Sequence, residues 1–171
     1  TSGSMDLEAQ WTQANMNDMV ATIAGSGIDA HLILLADDAI CVPVPLGNGS
    51  CPTDDNLPTY LHVHDGVGSN DALQKILDHY PDYAGSLRPG ATKTLVVISD
   101  DESDLGAADF TSALIALDPS FQGFVFHAIV ASAPPWLPPC LVMSAANGQV
   151  YIDVVAQSGG VFGDLCSQNF A

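Results

Sequence analysis

Positive charge is nearly absent from this chain: 3 lysines and arginines stand against 20 aspartates and glutamates, a formal net charge of −17. Such a surface repels phosphate backbones and anionic headgroups, and so few cations cannot make the neutralising contacts on which nucleic-acid affinity rests. No nucleic-acid partner and no polybasic membrane contact are expected. The sequence also lacks any apolar run near the ~20 residues that cross a bilayer, so membrane insertion of this segment is not expected. Missing as well are the C-x-x-C pairs of zinc sites, a G-x-S-x-G elbow, a Walker loop and the motifs of cysteine nucleophiles. Without them nothing points to catalysis, and the chain is not expected to be an enzyme. Carboxylate pairs are plentiful in any acidic sequence and do not by themselves make a hydrolase.

What is present suits a globular protein. Hydrophobic residues make up 47% of the 171 positions and charged residues 13%, enough apolar material for one core in one domain spanning residues 1–171. Four cysteines allow three pairings. Cys41 with Cys51 is favoured because VPVPLGNGS between them has the proline and glycine of a turning loop, and Cys140 with Cys166 completes the set. Two disulfides place the protein in an oxidising compartment, extracellular, periplasmic or at the cell surface; four reduced thiols in a cytosolic protein are the alternative.

Helical and extended patterns alternate. Leu7, Trp11, Ala14, Met19, Val20 and Ile23 recur at helical spacing from Asp6, and Gly25-Ser26-Gly27 ends the pattern. Ile28 to Ala36 and Tyr60 to Val63 read as strands, and Ser69 to Tyr80 as a helix with Ser69 or Asn70 as N-cap. Lys93 to Ser99 is the clearest buried strand, its apolar run suiting a parallel sheet covered on both faces. Ala107 to Leu117 reads as helix, Phe124 to Val130 and Val150 to Val155 as strands, and Val161 to Cys166 as the start of a final helix. Residues 131–139, ASAPPWLPP, form a rigid surface loop. This order predicts an α/β fold, a doubly wound and mostly parallel central sheet flanked by helices, with ligands at the carboxyl ends of its strands.

Three short segments carry a resemblance. Thr1-Ser2-Gly3-Ser4-Met5 is similar to D-T-S-G-S-M from its second residue onward, the D-x-S-x-S metal motif (MIDAS) of von Willebrand factor A (vWA) domains. Val67-Gly68-Ser69-Asn70 followed by Asp71-Ala72-Leu73 resembles the family's second metal loop, with serine for the usual threonine. Leu95 to Asp100 resembles the strand ending in T-D-G, although Asp101 stands where the glycine is expected. The resemblance covers essentially the whole chain, and a secreted bacterial subgroup with a cysteine-closed loop after its second strand is the part of the family it looks like.

The resemblance implies a Rossmann-like vWA fold and a metal site made by Ser2, Ser4, Ser69 and Asp100. Hydroxyls with one carboxylate suit a hard cation, Mg²⁺ or else Ca²⁺ or Mn²⁺, and leave a coordination position for an acidic group of a partner. It thus implies an adhesion or interaction module whose partner is a protein offering a carboxylate. The family's first aspartate would be the residue before Thr1, and its first strand would precede that. On this resemblance the N-terminal strand is missing and the domain is truncated at its N-terminus and at its C-terminal helix. An upstream strand, in a longer chain or a separate fragment, is expected to complete the sheet. The alternatives are a structural vWA-like scaffold without metal and a metal-dependent hydrolase using Asp100 with His62 and His64. Residue by residue, TSGSM also reads as a Gly/Ser linker, Ser69 as a helix cap and residues 100–104 as a solvated acidic turn. His62 and His64 read as structural, as do His31 and His127 within apolar strands.

Overall fold

The computed structural model describes residues 6–138, 140 and 144–167, and gives side-chain surroundings from residue 9 onward. The chain divides into two compact units, one made of the residues up to Val67 with His79–Arg88, the other of Gly68–Asp78 with the residues from Pro89. Both are α/β, with parallel strands and accompanying helices.

In the first unit, helix α1 (Asp6–Gly25) is followed by two parallel strands, β1 (Leu32–Ala36) and β2 (Tyr60–His64), paired in register from Leu32 with Tyr60 to Ala36 with His64. The buried face of α1 differs from the expected one. Met16 is buried, with Val20 packed beside it, whereas Trp11 and Met19 are 45% and 44% exposed. The reason is polar as much as apolar: Gln13 and Asn17, flanking Met16, are turned inward to bond the cysteine loop. Gln13 Oε1 accepts from the Cys41 amide at 2.9 Å, Asn17 Oδ1 accepts from Leu46 N at 2.9 Å, and Asn17 Nδ2 donates to the carbonyls of Pro43 and Val44. The core that results joins Met16, Val42, Leu46 and Tyr60, with Val20, Leu32 and Leu34 at its margin.

The cysteine loop is closed by a Cys41–Cys51 disulfide. Gly47 permits its tight fold, since a Cβ there would stand 2.0 Å from the Val42 carbonyl oxygen. A short helix α3 (Tyr80–Tyr83) and a 3₁₀ turn at Ala84–Ser86 complete this unit, where Arg88 pairs with Asp29.

In the second unit, helix α2 (Ala72–Asp78) precedes a three-stranded parallel sheet of order β3 (Thr94–Ser99), β4 (Val125–Val130), β5 (Phe162–Asp164). The expected helix over 69–80 is the shorter α2, with α3 beginning at Tyr80, and Asp71, not Ser69 or Asn70, takes the residue before the first turn of α2. Helix α4 (Ala107–Leu117) runs between β3 and β4 with Phe110 and Leu114 buried, Phe110 meeting Phe124 and Phe126 edge to face.

Three sequence expectations are overturned here. The segment read as a strand, Val150 to Val155, lies inside helix α5 (Gln149–Ser158). Its β-branched residues favour strands, yet Tyr151, Val154 and Val155 sit at i, i+3 and i+4 and all three are buried, so the helical face decides. Gly159 ends the helix in the left-handed conformation at φ 74°. The segment read as a final helix, Val161 to Cys166, is strand β5 followed by a 3₁₀ turn at Leu165–Ser167. Gly160 starts that path, because a Cβ at this position would lie 1.8 Å from the Phe126 carbonyl oxygen. Nor is β3 covered on both faces among the described residues, for Val97 and Ser99 are buried while Val96 is 57% exposed. Cys140 and Cys166 are joined in a second disulfide, packed with Ala131 and partly buried Ala133.

Candidate functional site

The residues expected to hold a metal fall into two groups. Ser2 and Ser4 lie outside the described residues. Ser69 and Asp100 both belong to the second unit, on two loops that are tied together. Asn70, next to Ser69, accepts from Asp104 N at 2.9 Å through its carbonyl, and its side-chain amide donates to the Glu102 carbonyl at 3.0 Å. The Ser69 loop is itself shaped by Asp71, whose Oδ1 accepts from Gly68 N at 2.7 Å and whose carboxylate is the first group a Cβ on Gly68 would meet, at 3.2 Å.

Asp100 immediately follows β3, and only 4% of its surface is exposed. Its carbonyl accepts from the amides of Ala145 and Ala146 at 2.7 and 3.2 Å, which fixes the loop after β3 against the segment leading to α5. Around it lie further polar groups out of water. Ser99 and Ser103 are buried and bond the turn backbone, and the buried hydroxyls of Tyr151 and Ser144 have no hydrogen-bond partner among the described residues. The Tyr151 hydroxyl faces those of Ser99 and Ser103 without good geometry to either; burial pushes its pKa up to about 12. Buried hydroxyls without protein partners are a polar setting in which a bound water or cation completes the bonding.

Of the acidic run, Glu102 proves to be more than a solvated charge. Its Oε1 accepts from Ser103 N and Val150 N, and its Oε2 from Gln149 N at 2.9 Å, so it caps the N-terminus of α5. No local pattern signals this, because the capping residue lies 47 positions from Gln149.

The histidine motif on β2 belongs to the first unit. Asp54, completely buried, accepts from Val42 N at 2.5 Å and from the Tyr60 hydroxyl at 3.1 Å through Oδ2, while Oδ1 meets Nδ1 of His62 at 2.7 Å. Burial acts to raise the Asp54 pKa; the Val42 amide, the His62 ring and the Tyr60 hydroxyl outweigh it, and the net shift is downward. Burial, with the Asp54 charge, pushes the Tyr60 phenol well above its ordinary range. Nε2 of His62 lies 3.2 Å from the Ala36 carbonyl. His64 stacks on His62 with ring centroids 3.9 Å apart, and its Nδ1 is 3.0 Å from Asp38 Oδ1. His79 is bracketed by two carboxylates, Asp82 on Nδ1 and Asp65 on Nε2, both at 2.7 Å, which raises its pKa. His31 and His127 contact backbone: Nδ1 of His31 lies 3.4 Å from the Ser86 carbonyl, and Nδ1 of His127 accepts from Val161 N at 2.9 Å.

Set against protein-family models, curated proteins and solved structures, the chain finds no match in any of the three.

Proposed function

We propose that the protein is a divalent-metal-dependent protein-binding module of vWA type, in which a MIDAS-like site engages an acidic group of a partner protein. The observation that carries this reading is Asp100: a carboxylate that directly follows a parallel strand and is only 4% exposed. A carboxylate held largely out of water is costly unless it is paired, and a cation beside it offsets that cost. The Asn70 bonds that hold the Ser69 loop to the loop of Asp100 support the same reading, as do the hydroxyls of Tyr151 and Ser144, which lack a partner among the described residues.

In this proposal Ser2, Ser4 and Ser69 supply hydroxyl oxygens, and Asp100 supplies charge directly or through water. When bound, Mg²⁺ (or Ca²⁺ or Mn²⁺) offers an electrophilic position that a partner's carboxylate fills. The rest is done by the chain: Asn70 holds the loops in register, and Glu102 fixes the turn by capping α5. The finer fold assignment, a single Rossmann-like sheet doubly wound by helices, is part of the proposal. The two disulfides support an oxidising compartment, extracellular or periplasmic.

The test is thermal. A ligand that binds only the folded state raises its melting temperature, so 10-mM-scale Mg²⁺ is expected to raise that of the parent protein and leave Ser69→Ala and Asp100→Ala unmoved. Equal responses in all three proteins would support a scaffold that keeps the loops without the metal.

A further inference from the structure

A second cluster of ligating groups lies in the first unit, at the carboxyl ends of β1 and β2. Parallel register sets Ala36 beside His64, and so brings the residues that follow β1 next to the end of β2. Asp37, Asp38, Ala39, His64, Asp65 and Gly66 line an open cleft of about 420 Å³ there. Residues i and i+2 of a strand share a face, and this puts the imidazoles of His62 and His64 one upon the other. One ligand atom from each of Asp54, His62 and His64 falls in a group whose members lie within 4.8 Å of one another.

The hydrogen bonds around this group are of the kind that orient metal-bound histidines. A metal-bound histidine uses one ring nitrogen as ligand, and its other N–H is held by a carbonyl or carboxylate that fixes the ring. For His62 the holding group is the Ala36 carbonyl, 3.2 Å from Nε2, and Nδ1 points at Asp54 Oδ1. For His64 it is Asp38, on Nδ1, and Nε2 is left for a ligand bond. The other carboxylate oxygen of Asp54 is anchored by Val42 N and the Tyr60 hydroxyl, so the carboxylate cannot turn away. His64 is the exposed member and borders the cleft, whose acidic walls favour a cation.

We propose that Asp54, His62 and His64 form a two-histidine, one-carboxylate site for a borderline-soft divalent cation of the Zn²⁺ class. Imidazole with a carboxylate selects first-row transition metals over Mg²⁺. Binding would displace the proton shared by His62 Nδ1 and Asp54 Oδ1, which at 2.7 Å must part for both to ligate an ion at about 2.0–2.2 Å; His64 would complete the triad, with water on the positions open to the cleft. No thiol competes for it, since all four cysteines are in disulfides. The site is separate in residues and in metal preference from the Ser69–Asp100 proposal, and does not depend on it.

Co²⁺ is the probe, because its visible ligand-field bands report direct nitrogen and oxygen ligation. The oxidised protein titrated with Co²⁺ is expected to show a saturable band at one ion per chain, displaced by Zn²⁺ and untouched by excess Mg²⁺. His64→Ala removes an exposed ligand outside the core and should abolish the band while circular dichroism and melting temperature stay those of the parent. Asp38→Asn should weaken Co²⁺ about tenfold, the usual effect of losing an orienting partner. Ser69→Ala and Asp100→Ala should bind Co²⁺ as the parent does, which separates failure of this site from failure of the other. Absence of a saturable band, or a band unchanged in His64→Ala, overturns the proposal.

Discussion

Nδ1 of His62 lies 2.7 Å from Oδ1 of Asp54, and neither side chain has any surface in contact with solvent. The pair links strand β2 to the segment that follows the cysteine loop, and through Asp54 Oδ2 it also holds Val42 N and the Tyr60 hydroxyl. Removing one partner of a buried pair strands the other without compensation, at about 3–5 kcal/mol. Asp54→Ala is therefore expected to lower unfolding free energy by that amount in urea titration. A loss under about 1 kcal/mol would show that the network contributes little beyond an ordinary hydrogen bond.

Asn17 is the hinge between α1 and the cysteine loop, with three hydrogen bonds to the backbone of Pro43, Val44 and Leu46. Asn17→Ala should cost about 1–3 kcal/mol, the penalty for leaving backbone groups unsatisfied. Amide exchange at Leu46 should accelerate with it, while exchange in β3 and β4 stays unchanged.

How much of this was legible in the sequence depends on the range of the forces involved. Helix α4 was readable end to end and β3 to within one residue, because a helical face of 11 residues and an unbroken apolar run are local signals. Helix α5 reads as a strand in the sequence because its valines carry a strand preference that burial of Tyr151, Val154 and Val155 overrides. Strand β5, three residues long, is too short to display any period. Asp100 was legible as the residue ending the strongest strand. The environment of His64 was not, since its pairing with Asp38 exists only once β1 and β2 are in register. The role of Glu102 was hidden for the same reason.

His79 gives the first unit a pH dependence with a definite sign. Its hydrogen bonds to Asp82 and Asp65 raise the folded-state pKa above the ordinary 6.5, so the protonated form is the one folding favours. The stabilisation is fully present below the unfolded value and is lost as pH rises through the folded one. Melting temperature should therefore decline more in the parent than in His79→Gln as pH is taken upward from about 6.5. The ring signals of His79 in an NMR titration should have their midpoint above that value; a midpoint below it contradicts the bracketed geometry.

The two disulfides close loops of different length, 10 residues for Cys41–Cys51 and 26 for Cys140–Cys166. Loop-closure entropy assigns them about 2.7 and about 3.5 kcal/mol. Replacing each pair by serine should reproduce that order in denaturant titration, and the Cys140–Cys166 variant should lose more because its sulfurs also pack with Ala131. The reverse order would mean that the cysteine loop is held chiefly by its bridge and not by Gln13 and Asn17.

The central claim is that the Ser69 and Asp100 loops hold a divalent cation available to a partner. Calorimetric titration of the protein with Mg²⁺ tests it most directly. The account predicts saturable binding at one site, weakened at least tenfold in Ser69→Ala and in Asp100→Ala. No saturable heat, or heat identical in the parent and both variants, would contradict it.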